Sequence, residues 1–140
     1  MSPSARNFLL AVLLAAGPVA TYANVGDDIN QLRARYGTAE AVGNQALFQH
    51  DGFSICVYFD GSHSGMEVFV RDGSKPGKTD FTEDDIKQIL AAQGDGQIWN
   101  SVQVSSGKRT WMRADNKLIA RFSEGDTPGD KYLTIMVNAK

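Results

Sequence analysis

The chain has 140 residues and a formal net charge of −2, a length that fits one domain and a charge that offers nucleic acid no net attraction. Hydrophobic residues make up 42% and charged residues 21%, which excludes a disordered polyelectrolyte and leaves an ordinary globular composition. Cys56 stands alone, so no internal disulfide is possible and packing must hold the core.

The first segment reads as a leader. Arg6 is the only charge before Asp27, Phe8 to Ala16 is an unbroken apolar run, and Gly17-Pro18 ends it. Thr21-Tyr22-Ala23 then places small residues three and one positions before a cut. A positive start, a short apolar centre and a small-residue exit are the parts of a secretory signal. The apolar run falls short of the roughly 20 residues that span a bilayer. Residues 1–23 are therefore expected to be a signal peptide and 24–140 a single exported domain, periplasmic or extracellular. No cysteine directly follows the apolar run to accept a lipid, and no transmembrane segment is expected after cleavage.

Asp27 to Gly37 predicts a short helix, with Ile29, Leu32 and Tyr36 on one face and Gly37 as its stop. Ala46 to His50 predicts a strand, with a turn at Asp51-Gly52. Phe53 to Phe59 then alternates, placing Phe53, Ile55, Val57 and Phe59 on one face. This leaves Cys56 in mid-strand, where an inert buried thiol is the expected occupant. After a loop around Gly61 to Gly65, Met66 to Val70 predicts another strand whose core face is Met66, Val68 and Val70. Asp72 to Asp80 reads as a linker rich in turn residues.

The second helix starts at Thr82, a cap paired with Asp85 in a capping box, with Phe81 and Ile86 as a hydrophobic staple. Ile86, Ile89 and Leu90 form its buried stripe and Gly94 ends it. Three strands follow: Arg109 to Arg113 with Trp111, Lys117 to Phe122 with Leu118, Ala120 and Phe122 inward, and Leu133 to Val137 with Leu133, Ile135 and Val137 inward.

The two halves resemble each other. Asp27, Asp28, Ile29, Gln31, Ala34 and Gly37 align on Asp84, Asp85, Ile86, Gln88, Ala91 and Gly94, while Phe48 aligns on Trp111 and Ile55 on Leu118. The expected fold is α+β, a duplicated helix-strand-strand-strand unit (residues 24–71 and 81–139) forming a largely antiparallel sheet with both helices on one face. Gln97 to Gly107 has no counterpart in the first half and reads as an extra strand or an ordered loop.

The residues do not converge on a catalytic set. His50 adjoins Asp51 and His63 lies just after Asp60, but neither belongs to a tight ligand cluster, and no metal or cofactor is expected. Gly61-Ser62-His63-Ser64-Gly65 has histidine where a nucleophile elbow needs serine, and it joins strand to strand. Asp95 and the Glu124-Asp126-Asp130 loop have too few alternating oxygens for calcium. Lys108, Arg109, Arg113 and Lys117 around Trp111 read as a solvated sheet face. Trp99 breaks the symmetry between the halves, and it is either a core residue or a binding hot spot.

Arg35-Tyr36-Gly37, Phe48 to Phe53, Phe59-Asp60-Gly61, Trp99 and Trp111 to Asp115 together resemble a set of small exported bacterial α+β proteins to which no activity attaches. In outline the helix-plus-hairpin plan is also similar to β-lactamase-inhibitor-like modules and to the small lipoprotein of the outer-membrane assembly machine. That resemblance implies binding of another protein through sheet and loop surfaces. The expected function is a non-enzymatic interaction module whose partner is another envelope or secreted protein. Its binding surface is expected at Trp99 together with Ser62, His63, Asp126 and Asp130. The alternatives are a small periplasmic enzyme, which requires the His50 and His63 loops to share a cleft, and a structural envelope component.

Overall fold

The computed structural model describes residues 22–77, 79–125 and 130–139. Helix α1 (Ile29–Tyr36) is followed by strands β1 (Ala39–Val42), β2 (Gln45–His50), β3 (Phe53–Asp60) and β4 (His63–Arg71). Helix α2 (Glu83–Ala92) is followed by β5 (Trp99–Ser105), β6 (Lys108–Arg113), β7 (Leu118–Ser123) and β8 (Tyr132–Val137).

The strands form one antiparallel sheet in the order β1-β2-β3-β4-β8-β7-β6-β5. Each half is a meander, and the two meanders join where β4 pairs with β8, Glu67 opposite Ile135 and Phe69 opposite Leu133. The first strand of each meander therefore lies at an edge. The β2–β3 hairpin is set by Asp51 and Gly52, both at positive φ (51° and 75°), the backbone a two-residue type I′ turn requires. Each helix is followed by four strands, one more than the sequence suggests. Gln97 to Gly107 supplies β5, which opens the second meander as β1 opens the first.

Both helix starts are built by capping boxes. Asp28 accepts from the Gln31 amide, and the Gln31 side chain accepts in return from the Asp28 amide. Thr82 and Asp85 do the same for α2. This overturns the alignment of Asp28 with Asp85, because Asp28 is a cap and Asp85 is the third residue of its helix. The cap of α1 corresponds to Thr82, and Leu32 and Tyr36 then match Ile86 and Leu90, all four buried.

Leu32, Tyr36, Phe81, Ile86, Ile89 and Leu90 pack with Phe48, Phe53, Ile55, Phe69, Phe122 and Leu133 in one core, so both helices cover the same sheet face. β4 runs in the opposite phase from the one expected. Glu67, Phe69 and Arg71 face the helices, while Met66, Val68 and Val70 lie on the far side, half-exposed. The alternation signal points the wrong way here because the inward face carries two charged residues whose partners come from distant segments. Val137 lies beyond the helices and is exposed, also contrary to expectation. Cys56 is half-buried on the far face, opposite Val68, and is not a core thiol.

Three arginines reach α2 or its cap. Arg71 donates from Nη2 to Asp85 Oδ1 at 2.6 Å and from Nε to Oδ2 at 3.3 Å, with its guanidinium 3.7 Å from the centre of the Phe53 ring. Arg113 donates to the Gln93 carbonyl at 2.9 Å, satisfying the C-terminal end of the helix, and to both oxygens of Asp115. Arg109 reaches Glu83 at 2.6 Å and covers Trp111. Of the expected solvated cluster, Arg113 is buried in its pair, whereas Lys108 and Lys117 are exposed and the Arg109–Glu83 pair lies at the surface.

Candidate functional site

Three regions of the molecule have the features of a site: a polar centre under the helices, a cleft at the start of α1, and the edge strand β5.

Glu67 lies near the middle of the inner sheet face and is fully buried. Its Oε2 accepts from Tyr36 Oη at 3.1 Å and from Gln93 Nε2 at 2.9 Å. Its Oε1 has no hydrogen-bond partner among the described residues. Burial pushes the Glu67 carboxyl up to about 8, a rise that the Tyr36 and Gln93 hydrogen bonds oppose and the nearby Asp27 charge adds to. The same donors hold the segment before α1. Gln93 Nε2 donates to the Ala23 carbonyl at 2.7 Å, and Tyr36 Oη lies 3.5 Å from that oxygen. Gln93 Oε1 accepts from the Val25 amide at 2.8 Å. Tyr22 enters the core against Phe53, Phe69 and His50. Its hydroxyl is pushed up to about 12, first by burial and then by the Asp51 charge. The Tyr36 hydroxyl is raised further still, by burial and by Glu67.

The cleft has a volume of about 680 Å³ and opens between the start of α1, the β1–β2 turn and the β3–β4 turn. Asp28, Asn30, Asn44, Gln45, Phe59 and Ser62 line it. The side chain of Ser62 lies 2.9 Å from His63 Nδ1. Among the described residues no carboxylate is hydrogen-bonded to His63, and Asp28 is committed to its cap, so the pair lacks the orienting acid of a nucleophilic triad.

β5 closes one edge of the sheet. Trp99 opens the strand, half-buried, and its Nε1 donates to the Leu90 carbonyl at 2.7 Å. It packs on the core, and beyond it Val102 and Val104 are 56% and 71% exposed. No charged residue occurs from Gln97 to Gly107. The opposite edge, β1, is a four-residue strand that carries Glu40.

The expected site residues are not brought together. Ser62 and His63 share one end of the sheet with Trp99, but β8, β7 and β6 separate β4 from β5, roughly 19 Å at ordinary strand spacing. Asp130 lies at the other end, beside Lys131, which pairs with Asp80. Asp126 falls outside the described residues. The two histidines cap opposite ends of β3, since His50 pairs with Phe53 and His63 with Asp60. That is roughly 23 Å of extended chain, and no shared cleft joins them. Among the described residues no group of three His, Cys, Asp or Glu side chains could hold a metal. Sequence reasoning missed Glu67 and Gln93. Neither carries a motif, and only their convergence with Ala23 in space gives them meaning.

No protein-family model matches the chain, and no curated protein matches it. Among solved structures it is similar to a cysteine-rich secretory protein from Staphylococcus aureus subsp. aureus Mu50, with 13% identity over 87% of this chain and 47% of that one, at a TM-score of 0.45. A second is an extracellular protein containing an SCP domain from Bacillus anthracis str. Ames, with 11% identity over 81% of this chain and 44% of that one, at a TM-score of 0.39. The chain thus spans less than half the length of either.

Proposed function

We propose that the chain is an exported, non-enzymatic module that binds another secreted or envelope protein by adding an extended segment of that partner to β5. The leader features of residues 1–23 support export to the periplasm or beyond. Among the described residues no helix is long and apolar enough to cross a membrane. The observation that carries the binding reading is the state of β5: a seven-residue edge strand with no charge on it and with Val102 and Val104 facing solvent. Edge strands are normally guarded by charge, proline, brevity or a bulge; β5 has only a register irregularity between Ser101 and Gln103. An edge free of charge and proline offers its backbone donors and acceptors to a new strand, and its side chains supply specificity. We also read the two helix-plus-meander halves as the products of a duplication, on the strength of their shared order of one helix and four strands and of the matching buried positions Leu32/Ile86 and Tyr36/Leu90.

A photo-cross-linking residue placed at Val104 in the exported protein tests the binding reading, with the same residue at Val42 on β1 as control. Cross-links to a partner protein are expected at 104 and not at 42. Introducing Val102→Lys on that background abolishes them while leaving the melting temperature within a few degrees, since that side chain already faces solvent. Equal cross-linking at both edges, or none at 104, overturns the reading. Cross-links only to a second copy of the chain would support the structural-component alternative instead.

A further inference from the structure

Among the described residues no cation pairs with Glu67. The Tyr36 hydroxyl from α1 and the Gln93 amide after α2 donate to it, the Asp27 charge is near enough to act on it, and Oε1 is left without a partner among the described residues. A buried carboxylate without a counter-charge is an expensive feature to retain. Its surroundings contain one bond whose breakage would supply that charge. Gln93 Nε2 donates both to Glu67 and to the Ala23 carbonyl, so the carboxylate and that carbonyl are separated by a single shared donor. The nitrogen bonded to the same carbonyl carbon is that of Asn24, which already donates to Asp27 at 2.9 Å. The small residues at Thr21 and Ala23 mark that peptide bond as the exit of the leader.

We propose that removal of the leader between Ala23 and Asn24 creates an α-ammonium group that turns to Glu67 and pairs with it inside the domain, so that processing completes the core. The proposal rests on the export reading. The reaction is hydrolysis by a leader peptidase: the hydroxyl of water goes to the Ala23 carbonyl carbon, the C–N bond breaks, and the remaining proton of water goes to the Asn24 nitrogen; the new Ala23 carboxyl group then gives up its own proton, so the products at neutral pH are an Ala23 carboxylate, which leaves with the leader, and an Asn24 α-ammonium. Before the cut, that nitrogen is a neutral amide and Glu67 is best kept protonated. After the cut, the Gln93 and Tyr36 donors lose the Ala23 carbonyl and remain to hold the carboxylate, while the ammonium lies between Asp27 and Glu67. The withdrawal of Tyr22 also opens the slot between Phe53, Phe69 and His50. The test therefore compares chains that both lack it.

The protein exported from cells expressing the full chain is sequenced from its N-terminus. A start at Asn24 is expected, and a start at Tyr22 or upstream overturns the proposal. Residues 24–140 are then prepared with a free α-amine and with an acetylated one, which keeps a carbonyl in the place of Ala23 without the charge. Each is made with Glu67 and with Glu67→Gln. Glu67→Gln is expected to lower the melting temperature of the free-amine chain at pH 7 by several degrees, and to leave unchanged or raise that of the acetylated chain. The Asn24 α-amine, followed by NMR, is expected to hold its proton at least tenfold more tightly than the ordinary value of about 7.8, and to return towards that value in the Glu67→Gln chain. The same Glu67→Gln effect with either amine, or an α-amine that titrates alike with and without Glu67, overturns the pairing. If export is blocked altogether, the α-amine titration still decides the pairing on the prepared chain.

Discussion

Glu67 and Trp99 show how much one side chain reports about this fold. With Ala23 in place, the folded carboxyl of Glu67 binds its proton more tightly than the unfolded one, about 8 against 4.5. Between those values the folded state holds a proton the unfolded state has released, so stability is greatest below the ordinary glutamate range and falls as pH rises towards about 8. The expected loss is on the order of 4 kcal/mol. Urea denaturation of an uncleaved chain at pH 5 and pH 8 should show it, and the same chain with Glu67→Gln should lose this pH dependence. Trp99 anchors the start of β5 through its bond to the Leu90 carbonyl. Trp99→Phe keeps most of the ring and removes that donor, so a loss of about 1 kcal/mol is expected in thermal or urea melts. At this scale the sequence misleads in a consistent way. Met66, Val68 and Val70 are the more apolar set on β4, and only Phe69 argues for the other phase. Glu67 and Arg71 become tolerable inside through Gln93, Tyr36 and Asp85, which lie far from them in sequence.

The helices and hairpins were legible because their signals are local. Thr82 and Asp85 form the expected capping box, Phe81 and Ile86 are buried together, and Asp51-Gly52 turns the chain as its composition requires. β1 was not legible, and β5 was legible only as either a strand or an ordered loop. Ala39–Val42 is short and carries Glu40, and Trp99–Ser105 has an irregular register between Ser101 and Gln103, so neither shows a clean alternation. The attachment of α2 was also hidden, since it depends on Arg71 and Arg113 at the ends of two separate strands. The Arg71–Asp85 pair is almost wholly buried. Arg71→Met leaves Asp85 charged and unpaired, with an expected cost of about 3–5 kcal/mol. Adding Asp85→Asn, which can still cap the Thr82 turn, should recover most of that loss. A double-mutant cycle in urea measures both.

At the scale of the molecule, the α+β class and the single helix-covered face follow from patterning, whereas the joining of the halves does not. Nothing local in β4 or β8 says that the two will pair. The proposed interaction surface divides the same way: Trp99 and its uncharged neighbours stand out as a segment, but their position at the sheet edge, away from Ser62 and His63, is a property of strand order. That order also dictates when the sheet can close. β4 and β8 form its central seam, yet β8 follows the other seven described strands in sequence. The first meander can zip up from nearby contacts, but the inner edge of β4 must wait, bare, until β8 has been delivered. If the chain is exported from its N-terminus as proposed, the seam forms only after β8 has crossed. During that interval Phe69 and Glu67 sit on an open rim, and the domain depends most on whatever shields it.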